Sequence, residues 1–117
     1  DTYGVRETRI TDPLTGGQKG SKLERYDLMP WAFLDEVARV YGMGAAKYAD
    51  RNWEKGYVWG LSIAALFRHI VKWIRGESRD PESGLSHLAH ACFHLMTLFT
   101  YEQHQLGTDD RSKWGKL

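Results

Sequence analysis

What this 117-residue chain has little of narrows it first. A single cysteine, Cys92, excludes a disulfide framework within the chain, and its neighbours Ala91, Phe93 and Leu95 mark it as a small buried apolar residue of a reducing compartment. Long hydrophobic runs are missing: the stretch Ile63 to Phe67 is far short of the roughly 20 residues that span a bilayer. No signal-peptide pattern opens the chain, so a cytoplasmic protein with no membrane partner is expected. Charge of one sign is also missing. With 16 basic and 15 acidic side chains the net charge is +1, too weak a field to favour a nucleic-acid partner, and no recognition motif is present. There is no internal repeat and no low-complexity tract. The first residue is Asp1 rather than Met, as expected where a preceding residue or tag has been removed.

Other residues are plentiful. Five Trp, six Tyr and four Phe are many for one small domain, which buries only roughly two thirds of the surface its unfolded form exposes. Some of these rings are better explained as buried between subunits, so a homodimer or homotetramer is expected.

The apolar spacing predicts helices. Residues 1–29, with Gly4, Gly16, Gly17, Gly20 and Pro13, carry little periodicity and read as an extended arm with turns, and nothing reads as a strand pair. A first helix is predicted from Pro30 to about Ala49, with Asp27 as a candidate cap and Leu34, Val37, Ala38, Tyr41, Ala45 and Tyr48 as its apolar face. Gly42 and Gly44 weaken its middle. After a loop from Asp50 to Gly60, a second helix is predicted from a cap at Ser62 to Arg75. Its inner face would be Ile63, Leu66, Phe67, Ile70, Val71 and Ile74, with Gly76 as the stop. Asp80, Pro81 and Glu82 look like the start of a third helix, Ser86 being a second candidate cap. Leu88, Cys92, Leu95, Met96 and Phe99 would be its buried stripe as far as Gln105. A polar tail, 106–117, holds Asp109, Asp110, Arg111 and Lys113. The expected fold is therefore all-α, with three main helices per protomer at 30–105, an N-terminal arm, and assembly into an oligomeric helical bundle.

Four histidines surround the acidic loop that holds Asp80 and Glu82: His69, His87, His90 and His94. On one helix His87 and His90, at i and i+3, can reach one divalent ion, or form a polar face bonded to neighbours or water. His94 reads as a seam residue, and His104, near a fraying helix end, receives no role. Glu36 lies nearer the core boundary than Asp35 and is the better candidate for a metal-binding carboxylate, or else it is solvated. Lys47, Tyr48, Arg51, Asn52, Trp53 and Lys55 combine cations for phosphate oxygens with a ring and an amide suited to a nucleobase. Alternatively, Trp53 anchors this loop on the core. Arg68, beside His69, adds a cation. Gly16 to Lys22 resembles a phosphate loop only superficially, since the Gly-Lys-Ser/Thr ending and the strand and helix around it are absent. Lys22 and Arg25 could still cover a bound phosphate as a flap.

Together, Gly16-Gly17-Gln18-Lys19-Gly20-Ser21-Lys22, the run from Gly44 to Gly56, Arg68-His69, Gly76-Glu77, Asp80 to Gly84 and His87-Leu88-Ala89 resemble the phage-encoded dATP/dGTP diphosphohydrolases. These are MazZ-like proteins related to the MazG-type all-α nucleoside triphosphate pyrophosphohydrolases. The resemblance implies hydrolysis between the α and β phosphates of dGTP or dATP, with monophosphate and pyrophosphate as products. It also implies a divalent metal, a nucleotide as the small-molecule partner, an oligomer and, for a phage protein, the host cytoplasm. By the same resemblance Asn52 and Trp53 hold the base, while Lys47, Arg51 and Arg68 suit the phosphates, with Lys22 kept as a substrate-binding residue of the flap. The sequence departs from the MazG pattern of Glu-x-x-Glu followed by Glu-x-x-Asp, placing His69 and Lys72, then His87 and His90, at those positions. Glu36, Asp80 and Glu82 then supply the carboxylates and act in catalysis, with Glu36, His69, Asp80, Glu82, His87 and His90 as the metal set. Such mixed ligation favours Mn²⁺ or Co²⁺ over Mg²⁺. The alternatives are a triphosphohydrolase that releases triphosphate, and a nonenzymatic nucleotide-binding or assembly module.

Overall fold

The computed structural model describes residues 7–112; Gly4 and Lys113, assigned above to the arm and the tail, lie outside the described residues. The chain divides into two compact units, one ending at Pro30 and one beginning at Trp31.

The first unit corrects the expectation that the arm holds no strand pair. Strands β1 (Thr8–Thr11) and β2 (Gln18–Ser21) pair antiparallel, with Thr8 opposite Ser21 and Thr11 opposite Gln18. The turn between them explains the hairpin. The Asp12 side chain accepts from Leu14 N and Thr15 N at 2.8 and 3.1 Å, its backbone bonds Gly16 and Gly17, and Gly16 takes the positive φ that closes the loop. A 3-10 turn follows at Tyr26–Leu28. Asp27 lies in it and is held by Arg25 at 2.8 Å, so it does not cap the next helix as predicted.

The second unit consists of three helices. Helix α1 (Trp31–Lys47) runs unbroken through Gly42 and Gly44. Its Val37 and Val40 are buried against Ala89, with Phe33, Tyr41, Leu85, Cys92 and Phe93 packed around them. Helix α2 (Trp59–Ile74) starts three residues earlier than predicted. Ser62 is therefore not a cap but a buried helical residue. The missing cap is supplied from the far end of the chain, because Thr108 O accepts from Trp59 N and Asp110 Oδ1 from Gly60 N. That approach is tight. A Cβ at Gly107, which has φ +68°, would collide with the Tyr57 carbonyl. Residues 106–110 of the expected tail are thus packed onto the start of α2. At its other end α2 stops as expected. Gly76 takes a positive φ, and Gly76 N and Glu77 N bond Trp73 O and Lys72 O in a Schellman closure.

Helix α3 (His87–His104) begins at Ser86, whose hydroxyl accepts from Leu88 N at 3.1 Å. Asp80 does not open it. Asp80 Oδ1 accepts from Glu82 N, but Gly84 N bonds Asp80 O and Gly84 turns to φ +73°, so the segment closes as a tight turn before a helix can propagate. A second correction concerns what α3 and α2 bury. Their predicted apolar faces are only partly inward: Ile63, Leu66, Ile70, Leu88 and Cys92 are half-buried, while Phe67, Ile74, Leu95 and Phe99 are all more than half exposed. Inside lie Ser62, His87, Ala89, His90, Ala91, Thr97 and Tyr101. Among the described residues no helix is long and apolar enough to cross a membrane.

Candidate metal centre

The start of α3, the end of α2 and the turn between them bring three ligand atoms of His69, Asp80 and His90 within 4.8 Å of one another. Each is set by local structure. His69 lies in the last turns of α2, five residues before Ile74. Asp80 is held by its turn, accepting from Glu82 N at 2.9 Å while its own N–H bonds Leu85 O. His90 sits one turn into α3, buried, with Nε2 2.7 Å from Ser83 Oγ and 3.9 Å from Asp80 Oδ2. Ser83 Oγ also accepts from Leu85 N at 3.1 Å, which fixes the hydroxyl beside His90. The His69 and His90 rings stack 4.6 Å apart at an interplanar angle of 5°.

The electrostatics set the ionisation of these side chains. Burial pushes His69 down to about 4, helped by the neighbouring His90 and His87. Burial also lowers His90, against the pull of Asp80. For Asp80, burial works upward, yet the Glu82 N–H and the three histidines outweigh it and hold the carboxyl below its usual range. At neutral pH the set is two neutral imidazoles and one carboxylate, the protonation a divalent cation requires of its ligands. The donor chemistry suits Mn²⁺, Co²⁺ or Zn²⁺ more than an all-oxygen cation.

The remaining predicted residues fall around this group in different ways. His87 is fully buried, its Nδ1 2.8 Å from His69 Nδ1. Glu36 is engaged elsewhere: Arg39 and Arg79 donate to it at 3.2 and 3.1 Å, and Ser86 N at 3.2 Å, so it ties α1 to the start of α3. The Ser86 N–H, ahead of burial and the two arginines in effect, is the largest influence and lowers its pKa. Glu82 is exposed on the turn, with its carboxylate 3.9 Å from Lys47 Nζ. Arg51 takes a left-handed backbone and pairs with Glu54, and Asn52 opens a 3-10 turn, Asn52–Lys55. Trp53 has its ring edge-on to Tyr41 at 6.0 Å, and its carbonyl accepts from Tyr101 Oη, which matches the anchoring alternative. Arg68 is exposed; burial lowers the pKa of His94 to about 4, helped by His69 and His90 and then by Arg68. Lys22 belongs to the first unit, exposed just after β2. His94 lies in the helix bundle, its Nδ1 2.9 Å from Ser62 Oγ, which Tyr57 Oη also bonds.

Sequence reasoning missed three participants. Ser83 bonds His90, Arg79 bridges Glu36 and the Gly84 carbonyl, and Glu77 approaches buried His87 at 3.4 Å. The signal available was Gly76 itself: a helix stop there puts the next polar residue back across the end of α2.

Residues 13–111 match the protein family described as dATP/dGTP diphosphohydrolase, N-terminal. A protein of Salmonella phage PMBT28 named dATP/dGTP diphosphohydrolase is 37% identical over 86 residues, which is 70% of this chain. The chain spans only 28% of that relative's length. No solved structure matches the chain.

Proposed function

The chain belongs to the family of dATP/dGTP diphosphohydrolase N-terminal regions, and on that premise we propose that it hydrolyses dGTP and dATP to the monophosphate and pyrophosphate at a divalent-metal site. The observation that carries the reading is the convergence of His69, Asp80 and His90 within 4.8 Å, each in the ionisation state a ligand needs. These three would hold the ion. Once bound, a divalent ion supplies charge neutralisation on the triphosphate and lowers the pKa of water.

The chain's own residues do the rest. Lys47 at the end of α1, Arg51 on the segment after it and Arg68 on α2 draw in and orient the phosphate oxygens. Asn52 offers an amide to the base edge. Glu82, paired only loosely with Lys47 at 3.9 Å, accepts the proton of the water that attacks the α phosphorus. The new bond joins that water oxygen to the α phosphorus, the bond from the α phosphorus to the bridging oxygen breaks, and pyrophosphate leaves with that oxygen. Glu36 acts through Arg79 and Ser86, holding the turn and the start of α3 in register. The reading includes a homodimer or homotetramer, which the outward-facing Phe67, Ile74, Leu95 and Phe99 support.

Chromatography of a dGTP digest with Mn²⁺ tests the bond cleaved. The expected products are dGMP and pyrophosphate, whereas dGDP or inorganic triphosphate overturns the choice. Absence of turnover with both purine substrates would leave a nucleotide-binding module as the better reading.

A further inference from the structure

His87 is the most deeply buried ionisable side chain of the site, and its two ring nitrogens meet quite different neighbours. Nδ1 lies 2.8 Å from His69 Nδ1. Nε2 has no hydrogen-bond partner among the described residues, yet Glu77 Oε2 approaches it to 3.4 Å. Two neutral imidazoles that meet through Nδ1 must divide the roles, one donating and the other accepting. If His87 donated, its Nε2 would be a buried lone pair facing a carboxylate oxygen, which is repulsive, and His69 would carry its proton on Nε2. If His69 donates, His87 carries its proton on Nε2, where it faces the Glu77 carboxylate, and the remaining nitrogen of His69 is a bare lone pair. Only the second arrangement places opposite partial charges together at both contacts.

We propose that Glu77 and His87 are positioning residues that select this tautomer of His69, making its Nε2 the ligand atom of the metal centre. The carboxylate acts two rings away from the ion, as outer-shell carboxylates do on single ligating histidines. His87 on this account is not itself a metal ligand, which differs from the expectation drawn from its i, i+3 spacing with His90. The proposal rests on the reading of His69, Asp80 and His90 as the metal site, and the two fail separately.

The test needs no substrate. With histidine labelled by ¹⁵N, long-range proton–nitrogen correlations of the metal-free chain at neutral pH read each tautomer directly. Expected are a proton on Nδ1 of His69 and on Nε2 of His87. Glu77→Lys, at a half-exposed side chain, places a cation against His87 Nε2 and reverses both tautomers. It also weakens Mn²⁺ binding by calorimetry on the order of 10–100-fold, the usual effect of losing an outer-shell partner. Glu102→Lys, the same charge change at the opposite end of α3, leaves tautomers and affinity unchanged. A proton on Nδ1 of His87 in the unaltered chain, or a Glu77→Lys variant with both tautomers and Mn²⁺ affinity intact, overturns the proposal. The expected tautomers without any Mn²⁺ uptake uphold the relay and overturn the metal reading alone.

Discussion

The two halves of α3 invert the usual rule of burial. Its first turn buries His87 and His90, while Leu95 and Phe99 further along are more than half exposed. Imidazoles normally prefer water, and large apolar side chains the core. The inversion has a physical rationale at each end. Around His87 and His90 polar neighbours, His69, Ser83 and Asp80, offset part of the loss of hydration. Around Leu95 and Phe99 no such compensation is needed, since an exposed apolar face on a small domain suits a partner surface. On the proposed reading one end carries the chemistry and the other the assembly.

The largest effect should come from breaking the polar end. Asp80→Ala removes the single carboxylate of the three-residue group and the acceptor that shapes its turn. Activity should fall by at least about 100-fold, the upper range for losing even an outer-shell partner, as measured by pyrophosphate release. Breaking the apolar end should act on assembly instead. Phe99→Ser should shift the oligomer toward monomer by light scattering, with Mn²⁺ affinity unchanged; an unaltered mass would remove this face from the interface.

A third change separates folding from both ends. Gly107→Ala forces a side chain into left-handed backbone against Tyr57, and should cost more than about 1 kcal/mol in urea unfolding. Its metal affinity should match the parent chain's. A fourth prediction follows from the histidines. Burial lowers both His69 and His94 from 6.5 to about 4, so their charged forms are favoured in the unfolded chain. Stability is therefore complete above about pH 6.5 and declines as pH falls toward 4, where protonation pulls the chain open. Urea midpoints across that window check the sign, and a rise toward acid contradicts it. The smallest effect belongs to Arg39→Ala. That exposed arginine pairs with Glu36, which keeps Arg79 and Ser86 N, so a loss within about 1 kcal/mol is expected.

The same contrast explains what could be read in the sequence. The three helices were legible because apolar residues recur at three and four residue steps, and because Gly76 gives α2 a clear stop. The hairpin was not, because all four residues of β1 and the first two of β2 are exposed, so no alternation marks them. Its true determinant is the short-range chemistry of Asp12 and Gly16. The start of α3 was misplaced since Asp80-Pro81 mimics a helix cap, and only Gly84, four residues later, closes the segment as a turn. The start of α2 depends on Thr108 and Asp110, roughly fifty residues away, and no local pattern carries that. In the site, the histidine grouping was legible, whereas the fate of Glu36 was not. Its partner Arg79 is 43 residues distant in sequence. The apolar faces were correctly identified as apolar, but periodicity cannot say whether a face meets its own chain or another.

Mn²⁺ titration of the ¹⁵N-labelled chain is the most direct test of the metal centre, because a bound paramagnetic ion broadens nearby resonances first. Side-chain and backbone signals of His69, Asp80 and His90 should vanish at the lowest Mn²⁺ additions, while Leu95 and Phe99 remain sharp. Broadening that begins elsewhere, or none at all, would contradict the assignment of the buried histidine end of α3 to a metal.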